Sequence, residues 1–175
     1  MKGYKNILYI YIISLYINLK MSKKQWGTAT WYLFHTLAEK LKPEYDNPTE
    51  IRALYSHIKR ICQNLPCPDC TQHAIKVLST VNENSVTSSK AVFIHFLWQF
   101  HNKVNKNTGG AIMTFEDSQK LYSRAITSLI IQNFINVMNI KGSDLKLAII
   151  RLNSKNVYMP AFSDYINKNI QKFNY

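Results

Sequence analysis

Asn47-Pro48-Thr49-Glu50-Ile51-Arg52-Ala53-Leu54-Tyr55-Ser56-His57-Ile58-Lys59-Arg60-Ile61-Cys62 decides the fold class. Asn47 reads as a helix N-cap, Pro48 as the first helical residue and Glu50 as the third residue of a capping box. Ile51, Leu54, Tyr55, Ile58, Ile61 and Cys62 then recur at three- and four-residue spacing. That is the period of an amphipathic helix with one buried face.

The same period continues on both sides. Upstream, Gln25 to Leu41 places Trp31, Phe34, His35 and Ala38 on one stripe and stops before Pro43. Downstream, the opening helix ends near Leu65-Pro66, and a third begins around Pro68 with Ala74, Ile75 and Leu78. Thr87 to Ser89 offer caps for a fourth, running through Val92, Phe93, Phe96, Leu97 and Phe100 to about Asn105. Gly109-Gly110 break the chain, and Thr114 caps a fifth segment through Leu121, Ile126 and Ile130 towards Asn139. No strand alternation or hairpin signal competes between residues 25 and 139. The expectation is all-α: a four-helix bundle with a short fifth helix docked across it.

The ends read differently. Lys2 and Lys5 precede Ile7 to Ile17, which is apolar or Tyr except for Ser14. The run is shorter than the roughly 20 residues of a membrane span, and no small-residue cleavage site follows it. An uncleaved anchor, an interfacial segment and an upstream extension with the working start at Met21 all remain. The last is favoured, because the patterned domain starts directly after Met21. Gly142 marks the other boundary, and helices are expected around Leu145 to Leu152 and near the chain's end. The division is thus a hydrophobic extension over 1–21, a domain over 22–140 and a C-terminal extension over 141–175.

Composition limits the function classes. The 175 residues carry 22 Lys+Arg against 10 Asp+Glu, a formal charge of +12. At 46% hydrophobic and 13% aromatic residues the chain is no disordered polymer. Its lysines are scattered, and heavy use of Asn, Lys, Ile and Tyr is what an AT-rich coding sequence produces. A solvated basic surface is therefore favoured over a nucleic-acid site. Three cysteines are too few, and odd in number, for a disulfide-stapled scaffold.

The chemistry sits in Cys67-Pro68-Asp69-Cys70. The first cysteine falls at a helix cap and the second lies one turn in. A helix N-terminus lowers thiol pKa, and the thiolate is the species that exchanges disulfides. The spacing also admits zinc: Cys62, Cys67, Cys70 and His73 form a Cys3His set within a short stretch. On that alternative the chain is a zinc-stabilised helical binding module for nucleic acid or acidic partners.

Two flanking motifs complete the pattern. Trp26-Gly27-Thr28-Ala29-Thr30-Trp31-Tyr32-Leu33-Phe34-His35 precedes the cysteine pair, and His101-Asn102-Lys103-Val104-Asn105 follows it. Singly, each has a plain reading as packed core or a polar helix end. Together and in this order they resemble the Erv/ALR family of FAD-dependent sulfhydryl oxidases. Leu65 to Ala74 is most similar to the short members encoded by large DNA viruses. The resemblance covers about residues 22–125.

The resemblance implies a bundle holding FAD, with Trp26, Gly27, Trp31, His35, His73, His101, Asn102 and Asn105 in the cofactor shell. Lys103 is either near a phosphate or solvated. It implies that Cys67 takes the substrate thiolate while Cys70 faces the flavin, which passes electrons to oxygen and gives hydrogen peroxide. The implied partners are thiol-containing substrate proteins or a small thiol relay protein, molecular oxygen and a second copy in a homodimer. The implied setting is the virion and the host cytoplasm at virus assembly sites, with membrane association dependent on residues 1–20. Some positions depart from the family. Thr28 stands where many members carry Arg, and Phe96 where Trp is frequent, with Trp98 two residues on. No cysteine lies outside residues 62–70, so a distal shuttle pair is missing. Cys62 reads as a buried free thiol.

Overall fold

The computed structural model describes residues 23–139 and 158–175. Six of its helices build the expected bundle: α1 (Lys23–Lys40), α2 (Pro48–Cys62), α3 (Pro68–Leu78), the short α4 (Glu83–Val86), α5 (Lys90–Thr108) and α6 (Phe115–Ser123). Two more follow, α7 (Thr127–Asn139) and α8 (158–169). The four long helices α1, α2, α3 and α5 form the bundle and α6 lies against α1 and α5. Among the described residues the only β-pairing is an isolated bridge between Leu41 and Phe173.

α1 is buried on most of its circumference, with Leu33, Phe34, His35, Thr36, Leu37 and Ala38 all enclosed. It packs against α5, α6 and α7, and so it is the central helix. α1 and α5 run antiparallel: Lys90 Nζ donates to the Leu41 carbonyl at one end, and His35 meets His101 further along. α2 buries the six residues of its sequence stripe. Its Tyr55 ring meets Phe93 and Phe96 of α5 edge-on.

The caps follow the sequence closely, with one exception. Asn47 accepts from the Thr49 and Glu50 amides, Ser89 from Val92 and Thr114 from Asp117. Glu50, however, does not close a capping box. The Asn47 amide donates to the Tyr45 carbonyl instead, and both Glu50 carboxylate oxygens take Lys172 Nζ at 2.7 Å. A half-buried lysine from the end of the chain competes better for that carboxylate than a local amide does.

The fifth segment also differs from its expectation. It is two helices, broken at Arg124 to Ile126. The expected apolar positions Leu121 and Ile126 are exposed, while Tyr122, Ile131, Phe134 and Met138 are buried. A single helix could not both turn Tyr122 into the bundle and run the Ile131–Met138 face along α1. Tertiary packing overrides the local pattern. Ile75 of α3 likewise faces outward, at 42% exposure.

The end of the chain joins the same core. Phe162 of α8 packs on Phe134 of α7, and Tyr165 stacks on His57 of α2. Phe173 is buried beside Leu41, and the Lys42 and Asn174 amides bond to the Lys172 and Lys40 carbonyls across that bridge. A helix near the chain's end is therefore present. The one expected over Leu145 to Leu152 lies outside the described residues, as does the Ile7–Ile17 run.

Candidate active site

Cys67 is the N-cap of α3, with extended backbone, and Pro68 opens the helix. The Cys70 amide points at Cys67 Sγ at 3.3 Å. The two cysteines form a disulfide, their Cα atoms 5.2 Å apart. The pair is asymmetric: Cys70 lines a cavity of about 580 Å³ between α1, α3 and α5, and Cys67 is not part of its wall. After reduction, a Cys67 thiolate would keep the Cys70 amide and the α3 N-terminus beside it, both of which favour the anion.

The cavity wall is mainly aromatic. Trp26, Trp31 and Phe34 of α1 face Phe100 and His101 of α5. Trp31 stacks on His101 at 4.0 Å between centroids. His101 Nδ1 lies 3.2 Å from His35 Nε2, and His35 stacks in turn on Tyr122 at 4.2 Å. The result is a column of four rings, three of them buried and Trp31 half-buried. Burial, with the like charge of His101, pulls His35 down to about 3. Burial alone brings His101 to about 4. Both rings are therefore neutral at pH 7, so one N–H donates and the other nitrogen accepts.

The predicted site residues divide by position. Trp26, Gly27, Trp31, His73, His101 and Asn105 line the cavity. His35 does not; it stands behind His101. Asn102 does not either. Its side chain is committed to the loop after α5, donating to the Met113 carbonyl at 2.8 Å and accepting from the Met113 amide at 3.0 Å. Trp98 donates to the same carbonyl. Asn105 braces the loop too, through the Ala111 carbonyl at 2.7 Å. The loop's sharp start needs Gly109, whose φ is 72°. Phe96 packs among core rings and lies outside the wall, and Lys103 is exposed and outside it as well. His73, although exposed, accepts from Asn107 Nδ2 at 2.9 Å, which ties α3 to the end of α5.

Some residues had no sequence signal for this site. Phe34 and Phe100 read as core and Leu65 as a helix end, yet all three line the wall. Tyr122 falls in the fifth segment without a signal of its own, yet it closes the histidine column. Lys24 precedes the first motif and nothing in its surroundings singles it out.

Cys62 is a buried free thiol that reaches the same wall, and burial pushes it up to about 12. Among the described residues no group of three or more His, Cys, Asp or Glu is placed to hold a metal ion. The Cys62, Cys67, Cys70 and His73 set does not assemble, because two of its members are joined to each other.

Comparison with known proteins bears on this geometry. The sequence model of the Erv1 / Alr family matches residues 28–124. Protein 347L of Invertebrate iridescent virus 6 is 32% identical over 93 residues, which is 50% of this chain and 83% of the relative. The FAD-linked sulfhydryl oxidase ERV1 of Oryza sativa subsp. japonica is 34% identical over 95 residues, 53% of this chain and 46% of the relative. The FAD-linked sulfhydryl oxidase of African swine fever virus (isolate Pig/Kenya/KEN-50/1950) is 28% identical over 105 residues, 60% of this chain and 86% of the relative. The chain thus spans most of the two viral relatives and under half of the plant one.

Proposed function

The chain belongs to the Erv1 / Alr family, and from that premise we propose that it is an FAD-linked sulfhydryl oxidase, joining pairs of protein thiols into disulfides at the expense of oxygen. The observation that carries this is the placement of one disulfide across two environments. Cys70 opens on an aromatic cavity of about 580 Å³ and Cys67 does not.

The cavity fits a flavin dinucleotide. Its walls offer flat rings for a planar heterocycle, and His73, His101, Asn105 and Thr108 offer polar atoms. Gly27 supplies a further test. A Cβ added there would meet nothing within 4 Å, so the space beside it is open to a ligand. When bound, FAD supplies the two-electron acceptor for the cysteine pair and the route onward to oxygen.

The protein's own steps are thiol–disulfide exchange. A substrate thiolate attacks Cys67 Sγ, and Cys70 leaves as a thiolate on the cavity side. A second substrate thiol then attacks the substrate sulfur of the mixed disulfide. Cys67 leaves, the substrate disulfide forms, and both cysteines are reduced. Regenerating the pair removes two electrons and two protons, which end on oxygen as hydrogen peroxide. The α3 N-terminus stabilises the anion at Cys67 in both exchanges. Neutral His101, held by His35, orients a polar nitrogen at the cavity wall.

Substrate proteins, or a small thiol relay protein, reach Cys67 directly, since the chain has no second cysteine pair. The viral relatives support a virion setting, where disulfides must be made despite a reducing cytoplasm. A dimer is carried over from the family alone. Among the described residues no helix is long and apolar enough to cross a membrane.

The test is a visible spectrum of the purified chain, followed by dithiothreitol without oxygen. A flavin band that bleaches with dithiol and returns with air is expected. Cys67→Ser and Cys70→Ser should each keep the colour and lose thiol-dependent oxygen uptake. A protein that binds no FAD on reconstitution would sink the reading.

A further inference from the structure

The cavity has a charge distribution that the cysteine chemistry does not use. Among the described wall residues, Lys24 is the one Lys or Arg side chain and Asp69 the one carboxylate. They belong to different parts of the site. Asp69 lies between the two cysteines on the first turn of α3. Lys24 is on the first turn of α1, two turns before Trp31.

Helix direction fixes what faces Lys24. α1 and α5 are antiparallel, and Trp31 stacks on His101. Moving back along α1 to Lys24 therefore corresponds to moving forward along α5 to Thr108, about 10 Å from the ring stack in each case. That end of the cavity is polar: Lys24 and Thr28 from α1, Asn105 and Thr108 from α5. Among the described residues Lys24 has no ion-pair partner. Residues 1–22, which precede it, contain no Asp or Glu.

Resting on the FAD reading above, we infer that Lys24 is the counter-charge for the pyrophosphate of the bound dinucleotide. The group carries two negative charges into a partly enclosed cavity, and an anion there needs a cation or several donors. Asp69 repels it from the disulfide end, where the reacting ring must lie against Cys70. Lys24 and the Thr28 hydroxyl attract it to the other end. Lys24, Lys103 and Lys106 are all exposed, but of the three only Lys24 lines the cavity. Lys24 lies just upstream of residues 28–124, which the family model matches.

The experiment dilutes the FAD-loaded full-length chain and follows release by flavin fluorescence, giving Kd at low and high salt. Lys24→Gln should weaken FAD binding about tenfold at low salt, and Lys24→Glu should weaken it further. Lys24→Arg should stay within about threefold of the parent. The gap between parent and Gln variant should shrink as salt rises, because a partly exposed charge is screened. Gln and Glu variants that bind like the parent would overturn the assignment and leave the oxidase reading standing. So would an Arg variant as weak as the Gln variant, since that would mark a packing role. A parent chain that retains no FAD would overturn the flavin reading and this assignment together.

Discussion

Gly27 lines the cavity from within α1. A glycine inside a helix costs about 1 kcal/mol relative to alanine. No neighbour requires it, since an added Cβ would meet nothing within 4 Å. Gly27→Ala is therefore expected to raise the melting temperature of the flavin-free chain and to weaken FAD retention, both measured on the same preparation. The histidine column makes a second residue-scale case. His35 and His101 are held well below an ordinary histidine, at about 3 and about 4, chiefly by burial. Between those values and about 6.5 the unfolded chain binds protons that the folded chain does not. Stability is then full above about pH 7 and falls with acidification, by at most about 1.4 kcal/mol per pH unit for each histidine. The urea midpoint should drop between pH 7.5 and 5.5, a window above the titration of ordinary carboxylates. His101→Asn should flatten that dependence.

At the scale of elements, the break between α6 and α7 decides two things at once. α6 delivers Tyr122 to the histidine column, and α7 is free to lie along α1. α7 and α8 then cover parts of α1 and α2 that the four-helix bundle leaves open. Phe162 is the pivot of that layer, buried between His57 and Phe134. Phe162→Ala is expected to cost about 3 kcal/mol by urea unfolding, the usual loss for a buried phenylalanine. A loss below about 1 kcal/mol would mean that the end of the chain is only loosely attached. The Lys172–Glu50 pair contributes less, because both groups are partly exposed and solvent screens them.

For the whole molecule, the three cysteines divide into one disulfide pair and one buried free thiol. Thiol counting checks this directly. The oxidised native chain should show no rapidly reacting thiol, and one should appear in urea. Dithiol reduction followed by rapid desalting should make the native count two, with Cys67 the faster to alkylate near neutral pH. Cys62 should stay unreactive in the native chain, oxidised or reduced, because burial both shields it and suppresses its thiolate. A fast third thiol in the native state would contradict its burial. The same test bears on the zinc alternative, which needs all three thiolates free.

The sequence alone carried what depends on nearby residues. Helix period, the caps at Asn47, Ser89 and Thr114, and the break at Gly109 are local physics, and they specify the all-α bundle. The cysteine pair and its flanking motifs were legible for the same reason, since each is a short run with its own chemistry. Contacts between distant residues were decided only by the folded chain. Glu50 found Lys172 rather than its own helix end. The fifth segment divided because two surfaces needed it. His35 and Asn102, which motif order puts in one shell with His101, hold the wall and the loop from behind. Lys24 acquired a place because antiparallel packing carried it to the polar end of the cavity. Which residues share a wall depends on how whole helices cross, and that is settled by burying the entire core at once.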